Sequence, residues 1–298
     1  MGDPRRHGSL TFSPRDVERP RAGETRPSGA APLIPEGLDA ILVLLRHGET
    51  EFIVQKRFQG QMEAPLSRAG ELQARLAGFR LASPRAHPPL PIPDAAPFAI
   101  VHSPMGRARR TAEYVAEALA AAGRVSPPLR PEPGLSEIAQ GEWEGLKDSE
   151  ISARFGDSLA AWRRWPTRYH APGGESLDQV AGRVEGALTR LLGELAEGGE
   201  RGTLDRHQVL GYEDESADRR RWALVVGHGG VFRVVICLLL GLPLEHFWNF
   251  DFGLAAISVV EIRAGRAVVR ALNLDAHLGP EAERIAADAA ARDASGAL

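Results

Sequence analysis

A single cysteine, Cys237, stands in a chain of 298 residues. Its isolation excludes an internal disulfide framework and a multi-cysteine metal site. It lies in the apolar run VVICLLLG, where a small buried core residue is expected. Aromatic residues make up 6% of the chain, and the five tryptophans read as core or pocket wall rather than a stacking platform for bases. Neither sign of charge dominates: 36 Lys and Arg face 39 Asp and Glu, a net charge of -3. That balance argues against bulk attraction to nucleic acid or an anionic membrane, though not against a local positive pocket. No run is long and apolar enough to span a bilayer. The N-terminal stretch has no apolar signal region, and its Met-Gly start is not followed by the hydroxyl residue that myristoylation requires. The expectation is a cytoplasmic protein with neither a nucleic-acid nor a membrane partner; a homodimer is a possibility the sequence leaves open.

What is present is long enough for one large α/β domain. Residues 1–37 are rich in Pro, Gly, Arg and Ser and poor in large apolar residues. Such a segment buries too little surface to offset its ordering entropy, so it reads as a disordered or loosely ordered tail. The domain is expected over 38–278, with an irregular substrate-cap region at 126–175, a polar arm at 198–221 and a C-terminal tail at 279–298.

Within the domain, strand and helix signals alternate. The segment AILVLL is uniformly apolar, as in a central strand covered on both faces. A helix follows Ser67, a good N-cap, with Leu72, Leu76, Phe79 and Leu81 as its expected apolar stripe. FAIVHS is a second buried strand, and a helix follows it between Pro104 and Gly123. Ser176 with Gln179 forms a capping box that opens another helix. WALVVG is a third buried strand, followed by a helix apolar nearly all round. LAAISVVEIRAGRAVVRALN reads as a hairpin about Ala264-Gly265. Alternating strands and helices imply right-handed crossovers and a parallel sheet. The stretch 126–175 shows no clear period.

Three of the buried strands end in polar groups: Arg46-His47-Gly48, His102-Ser103 and Gly227-His228-Gly229. Ligands of open parallel sheets bind beyond the carboxyl ends of the strands. Helix N-termini offer amide donors there, and arginines lie within the second helix, so the assembly suits an oxyanion, most simply a phosphate. Ser103 is expected to cap the helix that follows it.

Six ordered blocks carry a resemblance. LLRHGET is similar to the nucleophile motif of the histidine phosphatase superfamily, the phosphoglycerate-mutase-like group. RFQGQMEAPLSRAGELQA, SPMGRARRTAE, LSEIAQGEWEG, PGGES and VVGHGGVFR resemble the family's later segments in order. The resemblance implies a three-layer α/β fold: a mostly parallel central sheet with helices on both faces. It implies a metal-independent phosphomonoesterase that needs no cofactor and acts on a small phosphate ester through a phosphohistidine. His47 would be the nucleophile and Glu137 the general acid and base. Arg46, Arg107, His228 and Gly229 would hold the phosphoryl oxygens. Arg57, Gln59 and Arg163 are candidate substrate contacts, with a solvated basic face as the competing reading for Arg163. No metal ligand set is expected, because Arg46 beside the site would repel a cation.

The resemblance has a gap. The family commonly places an asparagine six residues after the nucleophile, where this chain has Ile53. Members of the cofactor-dependent phosphoglycerate mutase branch carry a Trp after the glycine matching Gly60 and an Arg-His-Tyr run after the acid. This chain has GQ and EIAQGEWEG instead, which resembles the phosphatase branch. Hydrolysis is therefore the expected reaction, with mutase activity and a catalytically impaired phosphate-binding regulator as the alternatives.

Overall fold

The computed structural model describes residues 32–197 and 220–279. The expectations for residues 1–31, 198–219 and 280–298 lie outside them. The first apolar run forms β1 (Ala40–Arg46). FAIVHS supplies β2 (Ala99–His102), and WALVVG supplies most of β4 (Arg221–Gly227). The hairpin forms as expected from β5 (Ile257–Arg263) and β6 (Arg266–Leu274), with positive φ at both Ala264 and Gly265 in its turn. The sequence reading missed β3 (Leu129–Pro131), a three-residue strand that ends in proline. The sheet order is β3-β2-β4-β1-β5-β6. β3, β2, β4 and β1 run parallel, and the β5–β6 hairpin adds antiparallel strands at one edge.

Successive side chains on a strand point to opposite faces. In β1, Leu42 and Leu44 therefore enter one hydrophobic layer while Ile41, Val43 and Leu45 enter the other. The first layer is covered by α5 (Leu177–Ala196) and α6 (Gly229–Leu240). The second is covered by α2 (Arg68–Ala82) and α3 (Gly106–Ala121). The result is the expected three-layer fold. Each fully buried aliphatic side chain contributes about 1.5–3 kcal/mol, which makes β1 and β4 a stiff base for whatever follows them.

Helix α2 corrects the sequence reading. Leu81 is buried, but Leu72 is 49% exposed and Phe79 59% exposed. The buried face is instead Gly70, Gln73, Ala74, Ala77, Gly78, Leu81 and Ala82. A Cβ added at Gly78 would sit 2.8 Å from the Tyr114 carbonyl oxygen of α3. The two helices approach closely enough that only small residues fit between them, so the large ones are displaced to the rim.

The middle stretch also holds a helix the reading missed, α4 (Asp148–Arg164). Phe155 has non-helical φ and ψ, and that kink blurs its period. Its buried Ile151, Leu159 and Trp162 belong to the core. Trp162 packs edge-on against Trp143 and Trp248, with ring centroids 5.9 and 5.0 Å away. A further short helix, α1 (Glu51–Val54), follows the Arg46-His47-Gly48 segment and is capped by Thr50. Among the described residues, no helix is long and apolar enough to cross a membrane.

Candidate active site

β1 brings Arg46 and His47 to the carboxyl edge of the sheet. The His47 amide donates to the Gly227 carbonyl at 3.0 Å, and the Ser103 amide donates to Val226 at 2.9 Å. Three neighbouring strand ends are thereby locked in register, which places the His47 and His228 rings edge to face at 5.1 Å.

The His47 ring is buried, and its Nδ1 lies 2.7 Å from the Gly48 carbonyl. A carbonyl only accepts, so Nδ1 carries the proton and Nε2 holds a free lone pair. Burial, then the charges of Arg107 and Arg46, hold its pKa well below the usual histidine range. The ring is therefore neutral at neutral pH, with Nε2 unprotonated.

Two arginines flank it, Arg107 buried and Arg46 half-buried. Arg107 donates to the Gly60 and Met62 carbonyls at 2.7 and 2.9 Å. Burial pushes its guanidinium down to about 10, against the opposing pull of Glu137 and Glu63, so it stays charged. Arg46 donates to the Phe252 carbonyl and lies against Gly229. A Cβ at position 229 would stand 3.2 Å from the Arg46 guanidinium carbon, and one at position 230 would stand 2.7 Å from a Glu137 oxygen. Both glycines at the start of α6 therefore keep space for charged partners. Among the described residues, Arg46 Nε, Arg107 Nε and His228 Nδ1 are buried nitrogens with no partner. Buried polar groups are almost always paired, so three such nitrogens around one histidine mark a place for an absent acceptor.

Glu137 is buried beside this group. Its carboxylate accepts from the amides of Ile138 (2.9 Å), Val231 (3.2 Å) and Gly230 (3.4 Å). The last two belong to the first turn of α6. Arg183 of α5 clamps the turn that carries Glu137, donating to the carbonyls of Gly134, Ser136 and Glu137 at 2.9, 2.6 and 3.0 Å. Glu175 grips Arg183 through both carboxylate oxygens and accepts from the Ala139 amide. Partial burial opposes ionisation of Glu175, but its bonds to Arg183 and Ala139 prevail and lower its pKa.

The remaining candidates bond to other groups. Gln59 is buried and accepts from the Thr50 hydroxyl at 2.7 Å, bracing the loop after His47. Arg57 donates to the Gly145 carbonyl at 2.6 Å and pairs with Glu150, while Arg163 pairs with Asp148. Both brace the start of α4, and none of their hydrogen bonds or ion pairs reaches His47. Ser103 differs from its expected capping role. Met105 holds the N-cap position of α3, and the Ser103 hydroxyl meets His228 Nε2 at 2.7 Å. Arg183 and Ser103 were missed as site residues, although both follow motifs the sequence displays: PGGES and the end of a buried strand. Ile53 is buried against Leu254 in a small apolar cluster of its own. Among the described residues there is no group of three His, Cys, Asp or Glu side chains arranged to hold a metal.

Such a fold, with a histidine and arginine pocket at the carboxyl edge of its sheet, defines an α/β enzyme class built to handle phosphate esters. Residues 42–200 and 206–275 match the histidine phosphatase superfamily (branch 1), and the chain belongs to that family. It is 30% identical over 241 residues to phosphoserine phosphatase 1 of Hydrogenobacter thermophilus, covering 80% of this chain and 94% of that one. It is 31% identical to the glucosyl-3-phosphoglycerate phosphatase of Mycolicibacterium vanbaalenii, covering 74% of this chain and 83% of the relative. A solved mycobacterial glucosyl-3-phosphoglycerate phosphatase in complex with VO3 superimposes with a TM-score of 0.61 at 27% identity, covering 78% of this chain and 98% of its own. Bacillus stearothermophilus YhfR gives a TM-score of 0.62 at 26% identity, covering 80% and 99%. The chain is a phosphatase of this superfamily, a hydrolase of phosphoric monoesters.

Proposed function

We propose that the protein hydrolyses a small phosphorylated metabolite in two steps through a phosphohistidine. His47 Nε2 attacks phosphorus, an N–P bond forms, and the ester P–O bond breaks. Glu137 gives its proton to the departing alkoxide. Water then attacks phosphorus, Glu137 takes a proton from it, and the N–P bond breaks to release inorganic phosphate. Arg46, Arg107, His228 and the Gly229 amide hold the phosphoryl oxygens throughout. Fixed donors and charges in a dry site stabilise the transferring group without reorganising.

One observation carries this reading: a neutral histidine with its Nε2 lone pair free, beside three buried nitrogens without partners, two of them guanidinium donors. The relatives' names support small metabolites as substrates, phosphoserine and glucosyl-3-phosphoglycerate among those to try first.

The test is phosphate release from a panel of phosphomonoesters in the presence of EDTA. Turnover should persist without metal and vanish in His47→Ala. Glu137→Gln should slow it by about 10²- to 10⁴-fold, the usual worth of a general acid. Full activity in His47→Ala would overturn the phosphohistidine route.

A further inference from the structure

We infer that Ser103 is a positioning residue that fixes His228 as the Nδ1–H tautomer, so that the ring presents a hydrogen-bond donor to the phosphoryl group. Ser103 and His228 are both fully buried, and Ser103 Oγ stands 2.7 Å from His228 Nε2. The Met105 amide donates to the same Oγ at 3.3 Å. That bond uses an acceptor lone pair of the hydroxyl and leaves its proton to be placed. Among the described residues, His228 Nε2 is the one acceptor that meets it. A buried hydroxyl with no acceptor is costly, so the proton goes to Nε2, and Nε2 must be the unprotonated nitrogen.

The other end of the ring gives the same answer. Nδ1 is buried without a partner, on a ring 5.1 Å from the nucleophile ring. Burial, then the charges of Arg107, His47 and Arg46, hold the His228 pKa well below the usual range, so the ring carries one proton. With that proton on Nε2, the Ser103 O–H would be orphaned and a bare Nδ1 lone pair would face the phosphoryl oxygens. With the proton on Nδ1, both ends are satisfied once phosphate arrives. A free histidine side chain in water favours the Nε2–H form, so the protein has to impose the other one. The site then uses two opposite devices. A carbonyl acceptor at Nδ1 frees Nε2 of His47 for attack, while a hydroxyl donor at Nε2 turns Nδ1 of His228 into a donor. The assignment rests on the phosphatase reading for its activity arm alone.

The experiment is nitrogen NMR on protein labelled with ¹⁵N-histidine, with the His228 signals assigned by their loss in His228→Asn. The wild type should show a protonated Nδ1 and a bare Nε2. Ser103→Ala should move population to the Nε2–H form and lower kcat/KM by roughly tenfold or more, up to the 10²–10³ of losing a donor outright. Ser103→Cys keeps a weak donor of similar size and should fall between the two in both readouts. A merely structural role would lower thermal stability and leave the tautomer unchanged. A wild-type spectrum with the proton on Nε2, or a Ser103→Ala protein that keeps Nδ1–H, would overturn the inference. A wild type that shows Nδ1–H but releases no phosphate from any ester would support the assignment and overturn the activity reading instead.

Discussion

At the scale of single residues, the site depends on atoms whose partners are far apart in the chain. Arg183 is the clearest case, because it bonds three carbonyls of the turn that carries Glu137 and is gripped by Glu175. Arg183→Lys keeps a charge but cannot reproduce a planar fork that meets three carbonyls and a carboxylate. We expect it to reduce kcat more than it raises KM, by about 10-fold or more, and to lower stability by about 1.5–3 kcal/mol for the lost charged hydrogen bonds. Steady-state kinetics with urea unfolding checks both, and an unchanged kcat would mean the turn holds itself. Ile53 makes the opposite case. It packs on Leu254, so Ile53→Asn would bury an amide against an alkyl group. Restoring the family's asparagine should cost about 1–3 kcal/mol of stability unless Leu254 is changed with it. A double-mutant cycle with Leu254→Ser measures that coupling. His47, Arg46, Glu137 and His228 were legible in the sequence because strand ends and ordered motifs mark them. Arg183 and Ser103 were not, because nothing local to them shows what their polar atoms reach.

At the scale of elements, hydrophobic periodicity served the strands well and misled on α2. Buried strands of a parallel sheet are apolar on both faces, so β1 and β4 are visible as runs. α2 packs on α3 through glycine and alanine, and closeness rather than side-chain size sets that contact. Gly78→Leu should therefore cost about 1–3 kcal/mol or more by overpacking against Tyr114 and Ala118. Phe79→Ser on the exposed face should stay within about 0.5 kcal/mol. Thermal unfolding of the two variants decides between this packing and the stripe expected from sequence, for which the order would reverse. Helix α4 left a faint trace in sequence, Ile151, Phe155, Leu159 and Trp162 at helical intervals. Its kink at Phe155 and the prolines and glycines on either side obscured that trace.

At the scale of the whole molecule, the buried histidines tie stability to pH. His47, His228 and His277 all have folded-state pKa values lowered from 6.5, with burial the first cause in each. The unfolded chain binds protons at these positions more readily than the folded one, so stability rises with pH through that region. Their contribution is complete above about pH 6.5 and is lost as pH falls toward the folded values. The melting temperature should drop between about pH 7 and pH 5, and His47→Gln and His228→Gln should each flatten that slope. Loss from Glu175, whose pKa is lowered from 4.5, belongs to a more acidic window. A slope of opposite sign would mean that the histidines are charged in the folded state. By itself the sequence determined the strand cores, the hairpin, the order of the motifs and the residues at the strand ends, since each follows from local composition or spacing. Only the tertiary structure decided which face of α2 is buried, that Arg57 and Arg163 bond near the start of α4, and which nitrogen of His47 carries its proton. Those outcomes depend on partners brought together across the sheet from distant parts of the chain, and no local pattern encodes a partner's distance.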